Sequence, residues 1–202
     1  MISGQAQVVS LIIIILLVLG AIALVYPWTY GMIQKKRDMK NLDDVYNFFN
    51  SLDETIRNIA KNGGEESLKL DIPGELHVYP GSVSSLNNSI IFKFTGLVSN
   101  IAEGDWIPLN TPNMNETATL GIDPPSVIFG RAKKTENEIE IQYRLWYREL
   151  DDLFGNGYKI VLNTSDNNEK TTTTGFMRIQ RLDTKRITNG KTLTITEINI
   201  IL

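Results

Sequence analysis

Residues 8–25 read VVSLIIIILLVLGAIALV, and this stretch decides how the chain must fold. Ser10 is its only polar side chain, and a serine hydroxyl can bond to the backbone of its own helix. About twenty apolar residues span a bilayer core at about 1.5 Å of rise per residue. The stretch therefore predicts a helix that lies in a membrane or crosses it.

The distribution of charge divides the chain in two. Residues 1–34 contain no Asp, Glu, Lys or Arg, whereas the sequence is distinctly polar from Lys35 onward. Tyr26, Trp28 and Tyr30 follow the apolar run directly, as aromatic residues do at a membrane–water interface. Residues 35–37, KKR, come next. By the positive-inside bias this basic cluster would keep the following domain in the cytoplasm, unless a more basic leader once preceded the chain.

Three interpretations of this segment compete. Residues 21–23, AIA, resemble the cleavage site of a secretory signal, but no basic region precedes the apolar run and the run continues past them. The second interpretation is a plain single-span anchor. The third is a segment that lies first in lipid and later packs against copies of itself.

The residues that follow favour one long helix. Residues 32–62 contain neither Gly nor Pro, and their apolar positions alternate spacings of three and four, as on one face of a helix. These positions are Met39, Leu42, Val45, Phe49, Leu52, Ile56 and Ile59. Gly63 and Gly64 supply a stop signal. We expect one helix from about residue 5 to residue 61, roughly 85 Å long. Pro27 removes one of its backbone hydrogen bonds and is expected to kink it.

The rest of the chain alternates with period two and predicts strands. Residues 67–72, 75–79, 89–95, 126–132, 138–147, 158–162, 175–181 and 192–202 carry this pattern. Pro-Gly, Gly-Asn-Gly and Asn-Gly turns separate several of them, and residues 102–125 predict a long ordered loop. The expected fold class is α+β, with a long N-terminal hydrophobic helix over residues 1–63 and an antiparallel, immunoglobulin-like β-sandwich over residues 64–202.

Few residues suggest catalytic or metal chemistry. The chain has no cysteine, a single histidine (His77), and no phosphate-binding, dinucleotide-binding or nucleophile-elbow motif. A calcium site at Asp151 and Asp152 is conceivable, but a hairpin turn is the better interpretation. The net charge of −3 gives no sign of nucleic-acid binding. We therefore expect neither an enzyme nor a cofactor.

Three tripeptides match the acceptor pattern for N-glycosylation. They begin at Asn87, Asn115 and Asn163, each at a predicted turn or loop. Such tripeptides are common by chance, so they serve only as candidate glycan sites on an exterior domain.

The layout resembles that of archaeal type IV pilins and, more distantly, archaellins. The resemblance covers the N-terminal helix by motif, since Ile2-Ser3-Gly4 precedes the aliphatic run, and the remainder only by architecture. It implies that Met1 or Gln5 is the mature first residue, left by a prepilin peptidase. Bacterial pilins carry glutamate at the fifth mature position, whereas this chain has Gln5 or Val9 there. Archaellin helices usually carry more glycine near their start, which favours a pilin.

The resemblance further implies an extracellular filament for surface adhesion. Many copies would pack by their N-terminal helices, which lie in the membrane before an assembly machinery extracts them. The segment from about residue 5 to residue 33 would form the filament core, and residues 34–62 its amphipathic extension. The implied core residues are Val8, Val9, Leu11, Ile12, Ile13, Ile14, Ile15, Leu16, Leu17, Val18, Leu19, Ile22, Leu24, Val25, Pro27 and Trp28. A membrane-anchored β-sandwich binding protein and an archaellin of a motility filament remain the alternatives.

Overall fold

A computed structural model describes residues 2–81, 87–136 and 138–202, with only the backbone described at residues 2–7 and 189. Met1, one of the two implied mature first residues, lies outside this part of the chain. Helix α1 spans Ile2–Asn62 and remains helical through Pro27. The predicted long helix is confirmed. It begins and ends within three residues of the expected limits.

Two glycines end α1, as the sequence predicted. The backbone N–H of Gly63 donates to the carbonyl of Ile59 at 2.8 Å, which satisfies one of the last helical carbonyls. Gly63 has φ of 78° and Gly64 has φ of 94°, a region that glycine adopts without steric cost. The chain can therefore turn sharply into the first strand.

Strands make up most of the remaining described residues. They are β1 (Glu65–Leu70), β2 (Glu75–Tyr79), β3 (Ser89–Gly96), β4 (Ile107–Pro108), β5 (Thr117–Thr119), β6 (Ser126–Lys134), β7 (Ile139–Tyr147), β8 (Glu149–Asp151), β9 (Asn156–Thr164), β10 (Lys170–Thr172), β11 (Gly175–Asn189) and β12 (Lys191–Ile201). Each of the eight predicted stretches overlaps a strand, although Asp71 and Ile72 lie beyond the end of β1 and β11 runs eight residues past the predicted end at residue 181. The sequence missed β4, β5, β8 and β10, of which β4 and β5 lie in the predicted 102–125 loop.

The strands form two six-stranded sheets. One has the order β1-β11-β12-β9-β8-β5, and the other has the order β10-β2-β3-β7-β6-β4. The sandwich is confirmed as mostly antiparallel, but β12 pairs with β9 and β5 pairs with β8 in parallel. β9 and β12 are parallel because they are not consecutive in the chain. After β9 the chain forms β10 in the other sheet, returns as β11 and then turns back into β12, which pairs with both β11 and β9. The expectation of a wholly antiparallel sandwich was wrong at these two pairs.

The second half of α1 belongs to the core of this sandwich. Leu42, Val45, Phe49, Leu52 and Ile56 are at most 2% exposed. They share one cluster with buried residues of both sheets, such as Leu145 and Ile198. The predicted apolar stripe is therefore the face by which the helix packs onto its own sheets, except at Met39, which is 59% exposed.

The strand directions place several turns beyond the C-terminal end of α1. Glu65 starts β1 next to that end and pairs with Gln180, while β11 continues to Asn189, roughly 30 Å farther at about 3.3 Å per residue. The backbone N–H of Thr192 donates to Gly155 at 2.7 Å, so the turn between β8 and β9 lies toward the same end. We call this part of the sandwich the distal end.

Candidate functional site

Between residues 8 and 33, the side chains of α1 are exposed around the helix and pack against no other part of the described chain. Among residues 8–33, every large apolar side chain is at least 45% exposed, and Leu24 reaches 82%. In the same continuous helix, Phe49 and Ile56 are fully buried. All the implied core residues with a large apolar side chain therefore lie on this bare surface. We call residues 8–33 the bare helix; it is long and apolar enough to span a membrane.

A basic collar separates the bare helix from the sandwich. Lys35, Lys36 and Arg37 are exposed, whereas Asp38 beside them is only 9% exposed. The carboxylate of Asp38 accepts a hydrogen bond of 2.7 Å from the backbone N–H of Leu97, directly after β3. This hydrogen bond attaches α1 to the end of β3, at the point where the helix leaves the sandwich.

Aromatic side chains lie at the end of the bare helix next to this collar. The rings of Tyr26 and Tyr30 stack with centroids 6.2 Å apart, and Gln34 donates to the Tyr30 hydroxyl at 3.2 Å. Trp28 is 70% exposed. Rings with a polar atom at one end suit the headgroup level of a bilayer.

A shallow apolar groove of about 400 Å³ interrupts the surface of the bare helix. Ala21, Ile22, Val25, Tyr26 and Thr29 line it. A neighbouring helix can fill a groove of this kind with a ridge of its own side chains, because small residues let two backbones approach closely.

Polar contacts, one of them buried, attach α1 to the sandwich. The Tyr147 hydroxyl donates to the carboxylate of Asp53 at 2.9 Å, and Arg57 pairs with the same carboxylate at 2.9 Å. Burial raises the pKa of Asp53, which Arg57 and the Tyr147 hydroxyl partly offset. At the end of the helix, Arg181 donates to the carbonyl of Ala60 at 3.3 Å. The orientation of the bare helix is therefore set by the sandwich and not by a flexible linker.

The three candidate glycan sites differ in their surroundings. Asn115 is exposed in the loop between β4 and β5, and its hydrogen bonds to other described residues involve only its backbone. Asn163 is half-buried within β9, so its predicted place in a turn or loop was wrong. Asn87 is exposed, but Asn88 and Ser89 after it are buried. Geometry therefore favours Asn115 among the three.

The other candidates from the sequence have structural partners. Asp151 pairs with Lys191 at 2.8 Å, and Asp152 accepts hydrogen bonds from the turn that follows it. His77 lies 3.1 Å from Glu169 and stacks on Tyr79. In the part of the chain that the structure describes, no group of three His, Asp or Glu residues could hold a metal ion.

Sequence reasoning missed one buried cation. Arg148 is 1% exposed and donates to the carbonyls of Asn113, Asn115 and Pro124 at 2.7, 3.3 and 3.2 Å. Burial lowers the pKa of its guanidinium, while nearby Asp123 opposes that shift. These contacts hold the 102–125 loop in place. The sequence predicted that this loop is ordered, but it did not indicate that Arg148 orders it.

No protein-family model matches the chain, and no curated protein or solved structure matches it significantly. What the bare helix does must be inferred from its own chemistry and from the way the sandwich holds it.

Proposed function

We propose that this chain is a pilin, the structural subunit of an extracellular, archaeal type IV pilus-like filament that serves surface adhesion. One observation carries the proposal. A single rigid helix is buried in its own domain along one half and bare on every side along the other. The bare half needs an apolar environment that the chain itself does not supply.

Two environments in succession would meet this need. Before assembly the bare helix lies in the bilayer, with its aromatic rings at the headgroup level. After extraction, bare helices of many copies pack against one another. If about 1,500 Å² of apolar area is shielded per helix at about 25 cal/mol/Å², the gross gain is roughly 40 kcal/mol before ordering costs.

The shape of the chain favours an open assembly. A helix that projects rigidly from one end of its domain packs beside copies displaced along it, and such a heterologous contact does not close on itself. The result is a helical filament with sandwiches outside and bare helices inside. The groove at Ala21 and Val25 offers one place for a neighbouring ridge.

The basic collar affects how the sandwich would be exported across the membrane. Lys35, Lys36 and Arg37 oppose export of the sandwich by the positive-inside bias. The proposal therefore requires a precursor with a more basic leader that a prepilin peptidase removes. Mass spectrometry of the N-terminus of the mature protein tests this step: a start at Met1 or Gln5 with the leader absent is expected.

A membrane-anchored binding module is the second candidate. It is favoured by the collar, since an anchor with no processed leader would obey the positive-inside bias. Its N-terminus would be unprocessed, and the chain would remain monomeric in the membrane.

Surface appendages sheared from the native cells decide between the two. We expect electron microscopy to show filaments, and mass spectrometry to identify this chain as their repeating subunit. Deletion of the gene should remove those filaments. The pilin hypothesis fails if the appendages lack this chain and it is found only as a monomer in the membrane fraction.

A further inference from the structure

Two apolar side chains project from the distal end of the sandwich. Leu153 is 98% exposed and Phe154 is 90% exposed, in the turn between β8 and β9. Ile122, in the turn after β5, is 83% exposed. The backbone N–H of Leu120 donates to the carbonyl of Asp151 at 2.9 Å, which brings the two turns to the same edge. We call Ile122, Leu153 and Phe154 the distal tip.

The turn that carries Leu153 and Phe154 is internally braced. Asp152 Oδ1 accepts hydrogen bonds of 2.8 Å from the backbone N–H groups of Phe154 and Asn156. Asp152 Oδ2 accepts another from Asn156 Nδ2 at 2.8 Å, and Gly155 takes φ of 81°. These bonds fix the backbone of the turn on which the two exposed side chains lie. They are preorganised for contact with something outside the chain.

The size of the distal tip argues against a stable protein partner. Three side chains of this kind expose roughly 500 Å² in total. A stable protein interface takes about 800 Å² from each partner. A small convex apolar tip suits shallow insertion of Phe and Leu into the boundary between headgroups and acyl chains.

The charges beside the distal tip indicate which kind of lipid surface it can enter. Asp123, Asp151, Asp152 and Glu149 lie in or next to the two turns, and Lys191 pairs with Glu149 and Asp151. Lys191 offsets one of these four negative charges and Lys159 lies opposite Glu149 in the sheet, so the surroundings of the tip are only weakly acidic and do not favour a strongly anionic membrane. A neutral, zwitterionic lipid surface fits both the apolar side chains and this rim.

We propose that the distal tip inserts into a second, opposing lipid surface. The tip lies beyond the C-terminal end of α1, roughly 50 Å from the collar by helical rise and strand length, so it cannot reach the bilayer that holds the bare helix. Insertion by one copy is weak, and many copies on one membrane or filament act together. This goes beyond the filament hypothesis and holds equally for a membrane-anchored monomer.

A vesicle-docking experiment tests the proposal on the full chain. The chain is reconstituted with sandwiches outward in labelled phosphatidylcholine vesicles, which are mixed with protein-free phosphatidylcholine vesicles carrying a second dye. Two-colour coincidence measures docking. We expect the double variant L153S/F154S to lose docking at least tenfold. The matched control is F176S, because Phe176 is 69% exposed at the opposite end of β11.

Thermal unfolding of each variant should match that of the unmodified chain, which shows that the fold is intact. Replacing part of the phosphatidylcholine with anionic phosphatidylglycerol should not strengthen docking, because the rim is weakly acidic. The proposal is overturned if the unmodified chain does not dock, or if L153S/F154S docks as well as F176S. It is also overturned if docking requires the protein in both vesicle populations, since the tip would then bind another copy.

Discussion

A single carboxylate introduced in the middle of the bare helix should prevent filament assembly while still permitting membrane insertion. Val18 is 53% exposed and lies in the part of α1 that contacts no strand, so Val18→Asp leaves the sandwich untouched. Aspartate has a short side chain that cannot reach the interface, unlike lysine. We predict that the variant still enters the membrane and forms no filaments.

The magnitudes support both halves of this prediction. Residues 8–25 contain fourteen Leu, Ile and Val residues. The thirteen that remain favour insertion by about 4 to 8 kcal/mol, against about 3 kcal/mol for a central aspartate. A bilayer can also thin or admit water around the charge. The tightly packed helices of neighbouring copies cannot adapt in this way, and every copy would bring the same carboxylate into the filament core. If burying each carboxylate costs about 3 kcal/mol, the affinity between subunits falls about a hundredfold or more.

Three measurements check this prediction, with Val18→Leu as the matched control. Membrane fractionation should find both variants at similar levels. Electron microscopy of sheared appendages should find filaments for the leucine variant alone. Thermal unfolding of the sandwich should be the same for both. Filaments at the normal yield from Val18→Asp would refute burial of this segment against sister helices.

Three further predictions concern the way the sandwich holds α1 and its long loop. Phe49→Ala should lower the free energy of unfolding by about 3 to 5 kcal/mol, because Phe49 is fully buried. The control Phe176→Ala, at an exposed side chain, should change it by less than about 0.5 kcal/mol. Equal melting temperatures for the two variants would contradict this prediction. Folding raises the pKa of Asp53, so its contribution to stability should fall as pH rises from 3.8 through the folded-state pKa. Urea unfolding across that range should show the fall in the unmodified chain and not in Asp53→Asn. Arg148→Met should cost about 2 to 3 kcal/mol and speed proteolysis within residues 102–125, because buried carbonyls lose their donor; unchanged cleavage would argue against this role.

The sequence predicted the elements that have their own periodicity. Spacings of three and four along residues 39–59 marked the buried face of α1 at every position except Met39, which is 59% exposed, and alternation marked the eight longer strands. β4, β5, β8 and β10 have two or three residues each, which is too short for any period to show. The parallel pairing of β9 with β12 depends on contacts distant in the chain, which a local pattern does not encode.

The same distinction applies to the functional surfaces. The bare helix was predictable because its composition alone requires an apolar environment. Asp38, Asp53 and Arg148 were not, since each depends on a partner that is distant in sequence, such as Leu97 or Tyr147. Leu153 and Phe154 read as ordinary turn residues in the sequence, and only the fold shows that they project from the distal end.

Cysteine cross-linking within the bare helix tests the central claim most directly. The chain has no native cysteine, so Leu17→Cys introduces a single thiol at a side chain that is 68% exposed. Isolated surface appendages are treated with short thiol-reactive cross-linkers, and the matched control is a cysteine at exposed Leu182 of β11. We predict ladders of cross-linked copies from Leu17→Cys that exceed those from Leu182→Cys. Only monomers from Leu17→Cys, in filaments that contain the chain, would contradict helix packing as the basis of assembly.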